Sequence, residues 1–381
     1  MAGIYIHIPF CRQACHYCDF HFSTNLSKQE EMVDAISREI RDRKEYLNEE
    51  VETVYFGGGT PSLLSGSQLK KLLDTINQNF NVSGKAEITL EANPEDLTEE
   101  HSRTLYDCGI NRMSIGIQTF DEQKLKWMNR IHSSDEAIEA YEHARAAGFE
   151  NISLDLIYAI PDHDRDKWKK DLESITSLNP EHISLYGLTI EEKTVFGKWE
   201  KDNKLIQVPE DAAAEQYLFA INFLKSKGYN QYEVSNFGKG GYHSRHNHAY
   251  WAGTPYLGVG PGAHSFDGQN TRSFNVRNNA KYLKAINENQ GFTEHEKLSD
   301  IQRINEQILT GLRTKKGVDM NRIASLAGQR LEELHSDFLN EIERKNMIEL
   351  VDGFLRLKPS GFLVADEIAL RLFFPDEYDL T

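Results

Sequence analysis

Cysteine is scarce in this chain: four thiols in 381 residues are too few for a disulfide framework. No apolar run approaches the roughly 18 to 20 residues that a membrane span needs. The opening stretch from Met1 to Phe10 has no basic n-region and breaks at Pro9, so a secretory signal is not expected. Positive charge is also short, with 43 Lys and Arg against 59 Asp and Glu, a net charge of −16. That balance excludes a sequence-tolerant nucleic-acid binder, which neutralises phosphates with Lys and Arg, although a local basic groove stays open. With 39% hydrophobic and 27% charged residues the chain is too apolar for a disordered one. A cytoplasmic globular protein of two or three folding units, each of about 100 to 200 residues, is expected.

What is present is an alternation. Apolar β-type runs at Gly3–Pro9, Val51–Phe56, Ala86–Ala92, Arg112–Gln118, Asn151–Ile157 and His182–Leu188 are separated by amphipathic stretches such as Lys28–Tyr46, Gly66–Phe80, Thr98–Cys108, Ser133–Ala147 and Arg165–Leu178. Successive strand-helix units mean a parallel sheet with right-handed crossovers. Six units fall short of the eight of a closed barrel, so the expected class is α/β, a partial (β/α)6 barrel over residues 1–228 with its site at the C-terminal strand ends. Residues 229–297 are rich in Gly, Tyr, His and Asn with little periodicity, and read as a region covering the open side of the barrel. Residues 298–381 read as a winged-helix-like α+β domain: helices at Asp300–Leu312, Asp319–Leu326 and Arg330–Lys345, then a hairpin over Met347–Leu357 turning at Asp352-Gly353. Glu332, Glu333, Asp337, Glu341 and Glu343 make its long helix acidic, which argues against DNA.

Three of the thiols, Cys11, Cys15 and Cys18, share a loop directly after the first strand. Clustered thiolates select an iron-sulfur cluster or zinc, and three leave one position of either site open. On the zinc alternative His16 or His21 is the fourth ligand. Cys108, before Gly109, reads as a small buried hydrophobe. The second strand ends in Gly57-Gly58-Gly59-Thr60-Pro61, either a tight turn or a place where backbone approaches a ligand. Glu91, Gln118 and Asp155 end the next three strands, where a buried polar group needs a partner. Together with the glycine turn and the thiol loop they point to one ligand site. Arg130 pairs with a carboxylate of that ligand or simply starts a solvated helix.

Cys11-x-x-x-Cys15-x-Tyr17-Cys18 with the glycine motif resembles the radical S-adenosylmethionine (SAM) superfamily. The runs Tyr5-Ile-His-Ile-Pro-Phe-Cys11, Glu91-Ala-Asn-Pro-Glu95, Ser114-Ile-Gly-Ile-Gln118-Thr-Phe and Asp155-Leu-Ile-Tyr narrow the resemblance to the oxygen-independent coproporphyrinogen III oxidase-like family, over nearly the whole chain. The resemblance implies a 4Fe-4S cluster on Cys11, Cys15 and Cys18, with SAM on its fourth iron. It further implies Tyr5 beside SAM near the cluster and Gly58, Gly59 and Thr60 at the amino end of SAM. Glu91, Gln118 and Arg130 would hold its polar groups and Asp155 its ribose hydroxyls. One departure is Ala159, where the family usually has glycine.

Oxidases of this family carry a fourth cysteine two residues after the third, and an N-terminal extension. Here the position is Phe20 and the first strand begins at Gly3. These departures resemble the haem-chaperone branch, as does His246-Asn247-His248-Ala249-Tyr250-Trp251, which matches that branch's His-Asn-x-x-Tyr-Trp haem motif. The match implies His246 as axial haem ligand, with His248 as substitute; the other reading is an aromatic, hydrogen-bonded loop. The expected function is a haem chaperone that binds the cluster, SAM and haem and delivers haem to client proteins. Peripheral membrane contact is left open. The alternative is an oxidoreductase that decarboxylates coproporphyrinogen III to protoporphyrinogen IX through a 5′-deoxyadenosyl radical. RNA modification is a third reading, opposed by the charge.

Overall fold

The computed structural model describes all residues except 163, 376, 377 and 379–381, so the last residues of the expected C-terminal module lie outside the described ones. The six expected strands form: β1 (Ala2–Ile8), β2 (Val51–Gly58), β3 (Val82–Ala92), β4 (Arg112–Gln118), β5 (Ile152–Tyr158) and β6 (His182–Gly187). They pair in sequence order and in parallel. Helices α1 (Gln29–Asp42), α2 (Gly66–Asn79) and α3 (Glu99–Asp107) cross between the early strands. A short α4 (Glu122–Trp127) precedes α5 (Ser134–Ala147), and α6 (Arg165–Ser177) connects β5 to β6. Capping boxes start α2 (Ser65 with Gln68) and α5 (Ser133 with Glu136), and Gly148 ends α5 in the left-handed conformation. The strands are buried on both faces, as a helix-covered parallel sheet requires.

After β6 come α7 (Val195–Lys201) and α8 (Glu210–Ser226), and then the region expected to be aperiodic. There the structure corrects the expectation. Strands β7 (Asn230–Gln231) and β8 (Asn236–Gly238) extend the β6 edge antiparallel, while β9 (Tyr256–Val259) pairs in parallel with β1. Between them lies α9 (Arg245–Trp251); beyond β9, β10 (His264–Phe266), β11 (Thr271–Asn275), α10 (Asn279–Glu288) and β12 (Thr293–Lys297) complete a 12-stranded sheet. The 228/229 boundary thus runs through one continuous sheet. Strands of two to five residues are too short to display a period of two.

Glu39 of α1 fastens this extension to the barrel. It is fully buried and accepts from Tyr282 Oη (2.6 Å), Asn275 Nδ2 (2.7 Å) and the Gly260 amide (2.8 Å), with Arg43 at 3.2 Å. A buried carboxylate is tolerated only with such a set of donors.

The C-terminal module contains α11 (Asp300–Leu312), β13 (Val318–Asp319), α12 (Met320–Ala327), α13 (Leu331–Leu334), α14 (Ser336–Arg344), β14 (Ile348–Val351), β15 (Phe354–Leu357), α15 (Pro359–Phe362) and α16 (Ala365–Leu372). The expected hairpin is β14–β15, turning at Asp352 (φ 53°) and Gly353 (φ 79°), and β13 makes it a three-stranded wing. The long acidic helix expected over Arg330–Lys345 is instead broken at His335 into α13 and α14. Among the described residues no helix is long and apolar enough to cross a membrane.

Candidate functional site

The loop after β1 carries the three thiols, all half-buried. Its shape is set from outside. His16 N donates to Met128 O (3.0 Å), His16 Nδ1 lies 2.9 Å from Trp127 O, and Gln13 Nε2 donates to Asn129 O (2.9 Å). Asn129 Nδ2 in return donates to Ala14 O (2.7 Å). Trp127 stacks on Phe196 of α7 at 4.0 Å, so α4 and α7, neither expected from the sequence, form the shelf on which the loop rests. Burial pushes the Cys11 thiol up to about 12 and that of Cys18 up to about 11. Arg130 Nη1 donates to Cys15 Sγ at 3.5 Å.

The donor set bears on the two metal readings. Among the described residues no three His, Cys, Asp or Glu side chains converge closely enough for a single ion. His16 Nδ1 lies 2.9 Å from Trp127 O and His21 Nε2 2.7 Å from Asn279 Oδ1, which engages one nitrogen of each ring. Three thiols that do not converge on one point fit a multi-iron cluster better than one zinc ion. Phe20, two residues after Cys18, is 73% exposed. Cys108 does not line the cavity that holds the other thiols and donates to Gly66 O at 3.5 Å, at the start of α2.

The glycine turn is stitched to the strand before the loop: Gly59 N donates to Ile8 O (2.9 Å) and Thr60 N to Phe10 O (2.7 Å). Gly58 has φ 112°, a conformation that favours glycine, and a Cβ there meets the His7 ring at 2.6 Å. Glu91 faces this turn, accepting from Tyr55 Oη (2.7 Å) and the Gly58 amide (3.3 Å). Burial, reinforced by the Asp155 charge and opposed by these hydrogen bonds, pushes its carboxyl up to about 7. Asp155 accepts from Ser114 and Ser153 hydroxyls at 3.2 Å, and burial raises its pKa too.

Gln118 ends β4 at φ 71°, behind a register shift between Gly116 and Gln118 that re-aims its side chain. Asn93, not singled out from the sequence, joins two strand ends to Arg130. It accepts from Arg130 Nη2 (2.8 Å) and donates to Thr60 Oγ1 (3.2 Å). Its signal was its place inside the Glu91–Glu95 run. Arg130 also donates to Gly116 O (2.9 Å), so it is a member of the site and not a solvated helix-start residue. Ala159 takes up φ 57°, the left-handed conformation that explains glycine as the usual residue; an alanine there is strained by about 1 to 2 kcal/mol.

The thiols, the glycine turn, Tyr5, Glu91, Gln118, Arg130 and Asp155 all line one cavity of about 1330 Å3, which runs on to the C-terminal module. His246 is the exception. The motif is a helix, not a loop, and His246 points from α9 into the barrel wall, 2% exposed. Its Nδ1 lies 2.8 Å from Thr53 Oγ1 and its Nε2 2.9 Å from Tyr250 Oη, and its ring stacks on Tyr55. Burial, with the Arg112 charge, lowers its pKa to about 3, so it is neutral. It is not among the residues lining the cavity, whereas His248, Tyr250 and Trp251 are.

Residues 5–175 match the family model of the radical SAM superfamily, and residues 298–364 that of the HemN C-terminal domain. The chain is 36% identical to Heme chaperone HemW of Bacillus subtilis, over 97% of this chain and 98% of that one. It is 35% identical to Heme chaperone HemW of Lactococcus lactis, over 98% and 97%. Coproporphyrinogen III oxidase (HemN) from Escherichia coli, described as a radical SAM enzyme, superposes with a TM-score of 0.83 at 22% identity, over 98% of this chain and 90% of that one, which shows a shared fold. With a three-thiol loop, a glycine turn and polar strand ends around one cavity, and this likeness along its whole length, the chain belongs to the HemW family of the radical SAM superfamily.

Proposed function

We propose that this protein is a cytoplasmic haem chaperone, which holds a 4Fe-4S cluster on Cys11, Cys15 and Cys18, binds SAM at the strand ends, and takes up haem for delivery to client proteins. The observation that carries this reading is the full-length likeness to proteins named Heme chaperone HemW. The cavity supports it: about 1330 Å3 exceeds the roughly 300 to 1,000 Å3 usual for one small ligand, leaving room for a second.

When bound, the cluster supplies an electron-transfer centre beside the SAM sulfonium. The chain supplies the rest. Gly58 and Gly59 let the backbone approach the amino end, and Glu91 accepts from the amine. Arg130, already donating to Asn93 and Gly116, faces the carboxylate, and Asp155 accepts from ribose hydroxyls.

Glu91 makes SAM binding dependent on pH. With its pKa at about 7 against an ordinary 4.5, the folded chain keeps a proton that the unfolded chain has released. The contribution of this group to stability therefore falls as pH rises from 4.5 to about 7. The carboxylate is a stronger acceptor for the amine N–H than the protonated acid is, so SAM affinity is expected to move the other way, falling as pH drops below about 7. Isothermal titration from pH 5.5 to 8 checks this; Glu91→Gln should weaken binding at pH 8 and remove most of the slope. A slope unchanged by Glu91→Gln contradicts the assignment.

The test of the function itself is a haem titration of the anaerobically reconstituted chain, followed by absorption. A saturable stoichiometric complex is expected, and non-saturating uptake like that of an unrelated acidic protein contradicts it.

A further inference from the structure

Beneath the strand ends the inside of the barrel is polar, and its polar groups are joined. On β5 and β6, Ser153 and His182 are cross-strand neighbours, one step below the pair Asp155 and Ser184. Ser153 Oγ donates to Asp155 Oδ1 at 3.2 Å and lies 2.8 Å from His182 Nδ1. The other ring nitrogen, Nε2, lies 2.8 Å from Tyr232 Oη, and that oxygen accepts from the Ser244 amide at 3.1 Å. Ser153, His182 and Tyr232 are buried, and of the four side chains only Asp155 lines the cavity. The backbone of Tyr232 is fixed in turn by the C-terminal module, since its carbonyl accepts from Lys315 N at 2.9 Å.

Proton counting gives these bonds one direction. Burial, and after it the Arg112 charge, lowers the His182 pKa well below the usual 6.5, so the ring is neutral and has one N–H and one lone pair. Tyr232 Oη already accepts a backbone N–H and has no acceptor but Nε2 among the described residues, so its hydroxyl donates there. The ring proton is then on Nδ1 and is donated to Ser153, whose own hydroxyl hydrogen points at Asp155. The opposite tautomer strands the Tyr232 hydrogen in the core and turns the Ser153 hydrogen away from Asp155. Ser244 N–H, Tyr232 O–H, His182 N–H and Ser153 O–H therefore all point the same way. Aligned donors polarise one another, and the last of them is strengthened.

The group at the end of this run needs such a donor. Asp155 is buried close to a second carboxyl, Glu91, and both effects favour its protonated form. Arg112 of β4 adds a favourable charge, while the direct contacts come from the Ser114 and Ser153 hydroxyls. We propose that His182 and Tyr232 are positioning residues for SAM: through Ser153 they hold Asp155 as an oriented acceptor for the ribose hydroxyls, and so set how strongly the site prefers a nucleoside that carries them. The inference rests on the reading that places SAM at the strand ends with Asp155 on its ribose.

The experiment is isothermal titration of the full reconstituted chain at pH 8, with SAM and with an analogue of SAM that lacks both ribose hydroxyls. Wild type is compared with His182→Leu, His182→Asn and Tyr232→Phe. His182→Leu is expected to weaken SAM binding by about threefold to tenfold, the range of one hydrogen bond, and to leave the analogue's affinity unchanged. A merely structural role weakens both ligands alike, so the difference between them isolates the route through the ribose. His182→Asn is expected to restore most of the loss, because its amide N–H stands where Nδ1–H stood and reaches Ser153. Tyr232→Phe should act in the same sense as His182→Leu and more weakly. Should the leucine variant fail to fold, Tyr232→Phe decides by the same comparison, since it removes one hydroxyl and keeps the ring. A wild-type chain without saturable SAM binding overturns the SAM reading and this inference with it. Saturable SAM binding in which the folded variants weaken both ligands equally, or neither, overturns this inference alone.

Discussion

Cys15→Ser abolishes iron retention: after anaerobic reconstitution its iron and acid-labile sulfide are expected at background, and the broad visible absorption of the cluster absent. The loop offers three thiols and no fourth, with Phe20 exposed where another could stand and Cys108 tied to Gly66 elsewhere. Losing one of three leaves too few thiolates to hold a multi-iron centre. The fold should survive, because the loop's shape is held by His16, Gln13 and Asn129 through bonds that do not involve sulfur. Circular dichroism of the apo forms is therefore expected to match wild type while iron binding is lost. Full iron and sulfide content in Cys15→Ser contradicts the three-thiol centre.

Gly59→Ala is the second large effect. A Cβ at this position falls 2.5 Å from Phe10 O, 2.8 Å from Phe10 N and 2.9 Å from Ile8 O. All three are backbone atoms, so no side chain can rotate out of the way. The methyl group separates the glycine turn from the segment that delivers Cys11, breaking the bonds from Gly59 N to Ile8 O and Thr60 N to Phe10 O. Overpacking of this kind is expected to destabilise the chain by about 1 to 3 kcal/mol, read by urea unfolding. SAM binding by the reconstituted protein should weaken by about tenfold or more, each 1.4 kcal/mol of lost contact being a factor of about ten. Gly84→Ala is the control, because a Cβ there meets nothing within 4 Å and neither property should move. Unchanged SAM affinity in Gly59→Ala contradicts the placement of SAM over this turn.

The barrel was legible because its apolar strand runs and amphipathic helices are long enough to recognise and alternate in order. Helices α4 and α7 were not, at six and seven residues, although Asp121 and Thr194 cap them and gave a local signal. Helix α9 was hidden for a different reason: Arg-His-Asn-His-Ala-Tyr-Trp has little helix propensity, and the helix forms because tertiary contacts hold it. Ser244 caps it, and the buried Glu87 accepts from the amides of Arg245 and His246. Once the segment is helical, the orientations of His246 and His248 follow from geometry, whereas a motif spelled in letters treats them as neighbours. The strand-end residues Glu91, Gln118 and Asp155 were readable because polar groups in an apolar run need a reason. The backbone of Gln118 was not, since nothing in Ser-Ile-Gly-Ile-Gln announces a left-handed φ. Arg130 was readable only as one of two alternatives, because its bonds to Asn93 and Gly116 cross from one strand end to another.

A chaperone that hands haem on is tested most directly by transfer. The reconstituted protein, loaded with haem and freed of excess, is mixed anaerobically with an apo haem protein, and the two are separated and their haem quantified. A parallel sample receives SAM, a reductant and coproporphyrinogen III. Haem is expected in the acceptor, at a rate above that of haem carried by an unrelated acidic protein, with no protoporphyrinogen IX in the parallel sample. Vinyl product without haem transfer contradicts it.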